Sequence, residues 1–232
     1  MKYIFCIDED KDVYDMETGE INKFCSSFET YYVVVNKENQ REEILNSIET
    51  FDDDEFVVFV PSNNLLIEPV QDDKLEKLKN ECVNAGADYC RLRRIASNKK
   101  FRDKKAEIHQ DPSDIFYLVP HIIKVSALRK AIDRVASGEM FWLSLETMGL
   151  KGIFYYSHSD FVDNKNTFTF FPCKPLNTLT GITSFDGEWS NSYINYNKKI
   201  LKAKISEYNL DIEDRGVEAL QGAELCCGDD NK

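Results

Sequence analysis

The sequence predicts an α/β fold in which a mostly parallel central sheet is flanked by helices. Three observations carry that prediction. Over the first 92 residues, strand-like runs alternate with amphipathic helical stretches, the pattern of a parallel sheet with crossover helices. The run at 56–60, FVVFV, is apolar throughout and rich in β-branched and aromatic residues, as suits a strand covered on both faces. It stops at Pro61 and opens into Ser62, Asn63 and Asn64, turn-forming residues at a strand end, where open α/β sheets hold their ligands.

In chain order, residues 2–7 read as the first strand, followed by the acidic turn Asp8-Glu9-Asp10. Residues 31–35 form a second β-rich run. Residues 41–51 are helix-like, with Ile44, Leu45 and Ile48 on one face. After the strand at 56–60, Asp72 or Asp73 caps a helix, with Glu76 three residues beyond Asp73 as in a capping box. Leu75, Leu78, Cys82 and Val83 form its apolar side, and Gly86 supplies a stop. Residues 88–92 make another short strand. Pro112 and Pro120 mark an irregular connection before a helix capped by Ser126, with Leu128, Ala131, Ile132 and Val135 on one face and Gly138 at its end. A short helix at 139–148 precedes strand-like runs at 152–156 and 167–171. A loop with Gly181 and Gly187 leads to a last helix at about 197–208, carrying Ile200, Leu201, Ile205 and Tyr208 on one side. The pattern fades in the tail 217–232. With no repeat and no clear linker, residues 1–216 read as one domain.

Composition narrows the function. The 232 residues, with 15 Phe, 11 Tyr and 2 Trp, suffice for a substantial core. A net charge of −12 argues against general affinity for nucleic acid or anionic membrane. The longest apolar runs are strand-sized, and Asp8 interrupts the N-terminus before a signal-peptide core forms. A soluble, cytoplasmic protein with no membrane span is expected. The seven cysteines show no zinc-like spacing, so buried thiols are expected.

The candidate chemistry lies in four places. Asp8-Glu9-Asp10, after a buried strand, is either a carboxylate pair able to hold a divalent cation or a solvated acidic turn. Asp52-Asp53-Asp54 precedes its strand, falls at the other edge of the sheet, and reads as a solubilising loop. Between residues 91 and 105, eight cations (Arg91, Arg93, Arg94, Lys99, Lys100, Arg102, Lys104, Lys105) face one anion, Asp103, a local excess of seven. That stretch is either a phosphate-binding loop or a surface loop balanced by the surrounding acid. Glu146, after the aromatic start Phe141-Trp142, is either a helix-surface carboxylate or a general base. His109, His121 and His158 form no metal motif, although His158 follows a strand and could reach a site. Walker-type, GxGxxG and Gly-x-Ser-x-Gly motifs are all missing.

The order of these parts resembles the GT-A-type glycosyltransferases, most closely those encoded by large DNA viruses. The resemblance rests on an acidic turn after the first strand, then FVVFVPSNNLLIEP, ADYCRLR, FYLVPHIIKVSALRKAI, MFWLSLE, FDGEW and EYNLDIEDRG, and extends to about residue 216. It implies a Rossmann-like sheet binding a nucleotide-sugar, and sugar transfer to a glycan hydroxyl. Ser62, Asn63 and Asn64 stand where the family carries its acidic metal ligands, and Glu146 stands where it carries the catalytic carboxylate. Asp8 and Asp10 would then lie near the nucleotide, Arg91, Arg93 and Arg94 near its diphosphate, and His158 and Trp189 near a sugar. Neutral Ser and Asn side chains bring no charge to offset dehydration of Mn or Mg, so metal use is disfavoured. The enzyme would be metal-independent, or hold its metal elsewhere through Asp8, Asp10 or Glu68, or have kept the fold as a catalytically degenerate binding or scaffold domain.

Overall fold

The computed structural model describes residues 1–9, 11–62, 64–66, 69–70, 72–92, 108–110, 116, 120–138, 141–147, 154–157, 168–170, 203–204 and 206–209. In chain order these form β1 (Lys2–Asp8), α1 (Lys11–Cys25), β2 (Glu29–Val35), α2 (Gln40–Ser47), β3 (Phe56–Val60), β4 (Asn64–Leu66), α3 (Asp72–Ala85), β5 (Tyr89–Arg91), β6 (Ile108–Gln110), β7 (His121–Lys124), α4 (Val125–Asp133), α5 (Phe141–Thr147), β8 (Phe154–Ser157) and β9 (Phe168–Phe170).

Seven strands build the main sheet in the order β2-β1-β3-β7-β5-β8-β6, and β4 pairs with β9 in a separate two-stranded sheet. β1 is parallel to β2 and β3, and β5 is parallel to β8. β7 is antiparallel to both β3 and β5, and β6 is antiparallel to β8. Since β7 opposes both neighbours, β3 and β5 point the same way. Five strands (β1, β2, β3, β5, β8) therefore share one direction and two (β7, β6) oppose it, so the expected mostly parallel sheet is a mixed one. β7 begins at the edge where β5 ends, and the Leu92 N–H donates to the Pro120 carbonyl there at 2.8 Å. Sequence reading assigned this region to an irregular connection and missed β7 altogether.

Both faces of the sheet are covered, which is why β3 is apolar along its whole length and β1 is apolar from Tyr3 to Ile7. One core holds Ile4, Cys6, Val33, Val57, Phe59, Tyr89 and Ile123 beneath α2, α4 and α5. The other holds Tyr3, Phe5, Ile7, Val58, Val60, Cys90 and Ile122 beneath α1 and α3. The adjacent residues Ile122 and Ile123 fall in opposite cores, as the period of two along a strand requires. Cys6, Cys25, Cys82 and Cys90 are all buried thiols, in line with expectation for those four. Burial pushes the Cys25 thiol up to about 12.

Several elements depart from the sequence reading. α1 was not anticipated, because its inward stripe is Met16, Glu17, Glu20, Ile21 and Cys25, and two buried glutamates break the apolar pattern. Val83, expected on the apolar side of α3, is 57 % exposed; Leu75, Leu78 and Cys82 carry the packing. Gly86 ends α3 with φ of 65°, the left-handed stop that glycine tolerates best. Ser126 does not cap α4. The helix begins at Val125, and the loop before β3 supplies the acceptors. Val125 N–H donates to Glu55 O at 2.8 Å and Ser126 N–H to Asp53 O at 3.1 Å. The Asp52–Asp54 loop thus does more than solubilise. Asp53 also pairs with Arg129, whose guanidinium donates to the carbonyls of Glu49 (3.1 Å) and Phe51 (2.9 Å) after α2. The expected tail at 217–232 lies outside the described residues. Among the described residues, no helix is long and apolar enough to cross a membrane.

Candidate functional site

The carboxyl ends of β1, β2, β3, β5 and β8 lie along one edge of the sheet. The chain path leaves β1 for β2 on one side and returns to β3 on the other, so the direction of winding reverses between β1 and β3. Ligands of open α/β sheets settle outside the strand ends at such a reversal. Asp8 closes β1 and Ser62 follows β3, so the two flank this point. Asp8 is half-buried, while Ser62 and Asn64 are 7 % and 6 % exposed.

The turn after β3 is locked from within. Asn64 Nδ2 donates to the Pro61 carbonyl at 2.9 Å and to the Ser62 carbonyl at 3.3 Å. Its amide hydrogens therefore hold the backbone in place. What the turn offers a ligand is neutral oxygen and backbone, without a formal charge. On the other side of Asp8, Glu9 accepts a hydrogen bond from Asn36 Nδ2 at 2.7 Å, tying together the ends of β1 and β2. Asn36 Oδ1 accepts in turn from the N–H groups of Glu38 and Asn39, both at 3.0 Å, so this rim is an ordered polar turn.

Further along the same edge stand Arg91 and His121. They are opposed in register between β5 and β7, and His121 is also opposed to Phe59 of β3. Alternation puts both side chains on the α2/α4/α5 face, with Tyr89, Phe59 and Ile123. Both are fully buried. The His121 ring lies 4.6 Å from Tyr89, 4.8 Å from Phe116 and 5.3 Å from Phe59, centroid to centroid. α5 packs on this face too, through Phe141, Trp142 and Leu145. Glu146 belongs to α5, but its side chain lies outside the described residues.

Of the candidate residues, Asp8 and Ser62 stand at the neighbouring ends of β1 and β3, and Asn64, which opens β4, binds back to the Pro61 and Ser62 carbonyls. Arg91 shares their edge but stands two strand spacings from the end of β3 and three from that of β1, roughly 10 and 14 Å. Being fully buried, its guanidinium reaches an outside phosphate only if its cover moves. Asp10, Asn63, Glu68, Arg93, Arg94, His158, Trp189 and the rest of the basic stretch through Lys105 lie outside the described residues. His121 was missed as a residue of interest; the readable signal was a polar residue heading the apolar run HIIK. Among the described residues, no group of three or more His, Cys, Asp or Glu side chains gathers as a metal site would.

A second polar cluster was also missed. Lys204 and Tyr208, in a helical turn closed by the Tyr208 N–H on the Lys204 carbonyl (2.9 Å), dock against α1. Lys204 Nζ lies 2.6 Å from Glu20 and 2.9 Å from Glu207, and Tyr208 Oη donates to Glu20 at 2.9 Å. Glu20 is fully buried. Gly19 makes the approach possible, since a Cβ there would sit 2.5 Å from Tyr208 Oη.

Comparison with known proteins assigns the chain to no family. No family model matches the chain, and no curated protein matches it. Among solved structures, the crystal structure of A197 from STIV is similar over 77 % of this chain and 98 % of its own, with 15 % identity and a TM-score of 0.38. Fold and site together define an α/β protein with a mixed sheet and polar residues at a winding reversal.

Proposed function

We propose that the protein is a GT-A-like glycosyltransferase that moves a sugar from a nucleotide-sugar donor to a glycan hydroxyl with inversion. The observation that carries the reading is the placement of Asp8 and Ser62 at the neighbouring ends of β1 and β3, where the winding reverses, together with the resemblance of the chain's motif order to that family. In the proposed reaction, the Glu146 carboxylate takes the proton of the acceptor hydroxyl as its oxygen attacks the anomeric carbon. The bond from that carbon to the phosphate oxygen breaks, and the nucleoside diphosphate leaves with the bonding pair. Asp8 and Asp10 serve the nucleotide. Arg93, Arg94 and the neighbouring lysines are the cations that would balance the diphosphate, with Arg91 anchoring the start of that stretch from within the sheet. His158 and Trp189 are assigned to sugar contact.

Mn or Mg does not fit the turn after β3. Ser62 and Asn64 are neutral and nearly buried, and the Asn64 amide hydrogens are engaged on the backbone. No step is therefore assigned to a metal. The same neutral turn, with the complete burial of Arg91, favours a second reading: a binding or scaffold domain on this fold without catalysis.

Titration calorimetry with a panel of nucleotide-sugars, with and without Mn²⁺, separates the two. Saturable binding that ignores chelator, accompanied by transfer, is expected. Binding without transfer to any acceptor favours the scaffold, and no binding at millimolar donor removes the transferase reading. Glu146→Gln is expected to lower transfer by about 10²- to 10⁴-fold with donor binding intact. Unchanged turnover would take Glu146 out of the mechanism.

A further inference from the structure

Among the described residues, the two edges of the main sheet are protected very differently. β6, at one edge, is three residues long, and short edge strands present little to pair with. β2, at the other, runs for seven residues, and from Thr30 to Val35 (TYYVVV) it carries neither charge nor proline. Edge strands of that length are ordinarily guarded by a lysine, a proline or a bulge, because their outer N–H and C=O groups invite another strand. Around this edge the surface is also unusually apolar. Of the four exposed large hydrophobic residues among those described, Tyr32 (40 %) and Val34 (38 %) belong to β2 and Tyr14 (37 %) to α1. Tyr32 Oη donates to Asn22 of α1 at 3.0 Å, which fixes the helix beside the strand. Tyr14, Thr18 and Asn22 follow at four-residue steps and so share the stripe of α1 that runs along β2.

We propose that β2 is a dimer interface, at which it pairs antiparallel with β2 of a second copy of this chain and extends the sheet across both. A two-fold axis perpendicular to the sheet keeps each face on its own side, so directly opposed residues must share a face. The register of greatest overlap centres on Tyr32, which meets its own counterpart. Tyr31 then opposes Val33, Thr30 opposes Val34, and Glu29 opposes Val35. These are aromatic and β-branched cross-strand pairs of the kind that stabilise sheets. The charges point to a second copy in particular. Glu29 opens β2 and Lys37 lies two residues past its end, both exposed; antiparallel self-pairing brings each diagonally opposite the other, and no like charges face across the axis. An unrelated strand would have to supply this complementarity, whereas the segment from Glu29 to Lys37 carries both charges. Seven residues span roughly 23 Å. With α1 on one face and α2 on the other, each about 10 Å wide, the contact covers on the order of 500 Å² per copy. That lies at the low end for a specific interface, so a micromolar dissociation constant is expected.

Sedimentation velocity of the full chain from about 1 to 100 µM is the test. The 26.9 kDa species should give way to one of twice the mass as concentration rises. Val34→Lys, at an exposed position, should shift the midpoint at least tenfold upward while the circular dichroism spectrum and Tm stay those of the parent. Tyr32→Cys should form an interchain disulfide on oxidation above the background of the parent chain, and Val83→Cys, exposed on α3, should not. A chain that stays monomeric throughout overturns the proposal, as does a dimer indifferent to Val34→Lys or one that Tyr32→Cys fails to cross-link. A monomer that instead captures an added extended peptide along β2 also overturns it, and assigns the edge to another partner.

Discussion

The half of the sheet made by β2, β1 and β3 and the half made by β7, β5, β8 and β6 are built on different principles. In the first, three strands consecutive in sequence are all parallel, with β1 in the centre, and are joined by the crossover helices α1 and α2. Its inward residues are almost wholly apolar. In the second, β7 is inserted between β3 and β5 and runs against both, and the fully buried Arg91 and His121 face each other across β5 and β7. The first half is held mainly by buried area. The second depends in addition on polar groups being satisfied in place, which is less forgiving of change.

The largest expected effects test whether the halves form one cooperative unit. Phe59→Ala in β3 should cost about 3–5 kcal/mol and Ile122→Ala in β7 about 2–5 kcal/mol, because both side chains are fully buried. One urea transition with unchanged slope is expected for each. Two separate transitions in the β7 variant would show that the halves unfold independently.

A middle-sized effect concerns the link between them. Arg129 of α4 joins Asp53 to the carbonyls after α2, so Arg129→Ala should lower stability by about 2 kcal/mol. Arg129→Lys should recover little of it, since an ammonium cannot reproduce the fork that spans several acceptors. Full recovery with lysine would reduce the contact to simple charge.

The smallest effects fall on the contact of Lys204 and Tyr208 with α1. Gly19→Ala should leave global stability within about 1 kcal/mol, because better helix propensity offsets lost contacts, yet detach the segment and expose it to trypsin at Lys204. Continued protection would mean that Tyr208 can shift aside. The same contact should weaken in alkali. Burial lowers the Lys204 pKa, but the bonds to Glu20 and Glu207 outweigh it and raise the group above 10.5. Burial, then the bond to Glu20, raises the Tyr208 hydroxyl above 10.0. Both folded values exceed the unfolded ones, so the contribution is complete below about pH 10 and is lost as pH rises through the folded values. The stability difference between the parent and Lys204→Met should therefore shrink from about pH 8 to pH 11.

How legible each part was follows the same division. β1, β2, β3 and α3 were readable because their apolar residues recur at strand or helix periods within a few positions. Residues 56–60, read as an apolar run, are β3 as found. Ser62 was readable as a turn at a strand end, since proline and asparagine signal turns locally, whereas Asn64, read with it, opens β4. The role of the Asn64 amide in closing that turn was not readable, because it depends on the path of the folded backbone. α1 was hidden by the two glutamates on its inward stripe, whose burial makes sense only once Lys204 and Tyr208 stand beside Glu20.

By itself, then, the sequence determined the α/β class, the order of the first strands and helices, and the polar turn at the end of β3. All of these arise from patterns spanning a few residues. Only the tertiary structure decided that β7 runs backwards through the middle of the sheet, that Arg91 and His121 are inside, and that β2 forms an edge of the sheet among the described residues. It also brought Tyr208 to Glu20, 188 residues away. Periodicity records which side of an element is apolar. It carries no record of which distant element will cover that side, in which direction that element runs, or which charge it brings.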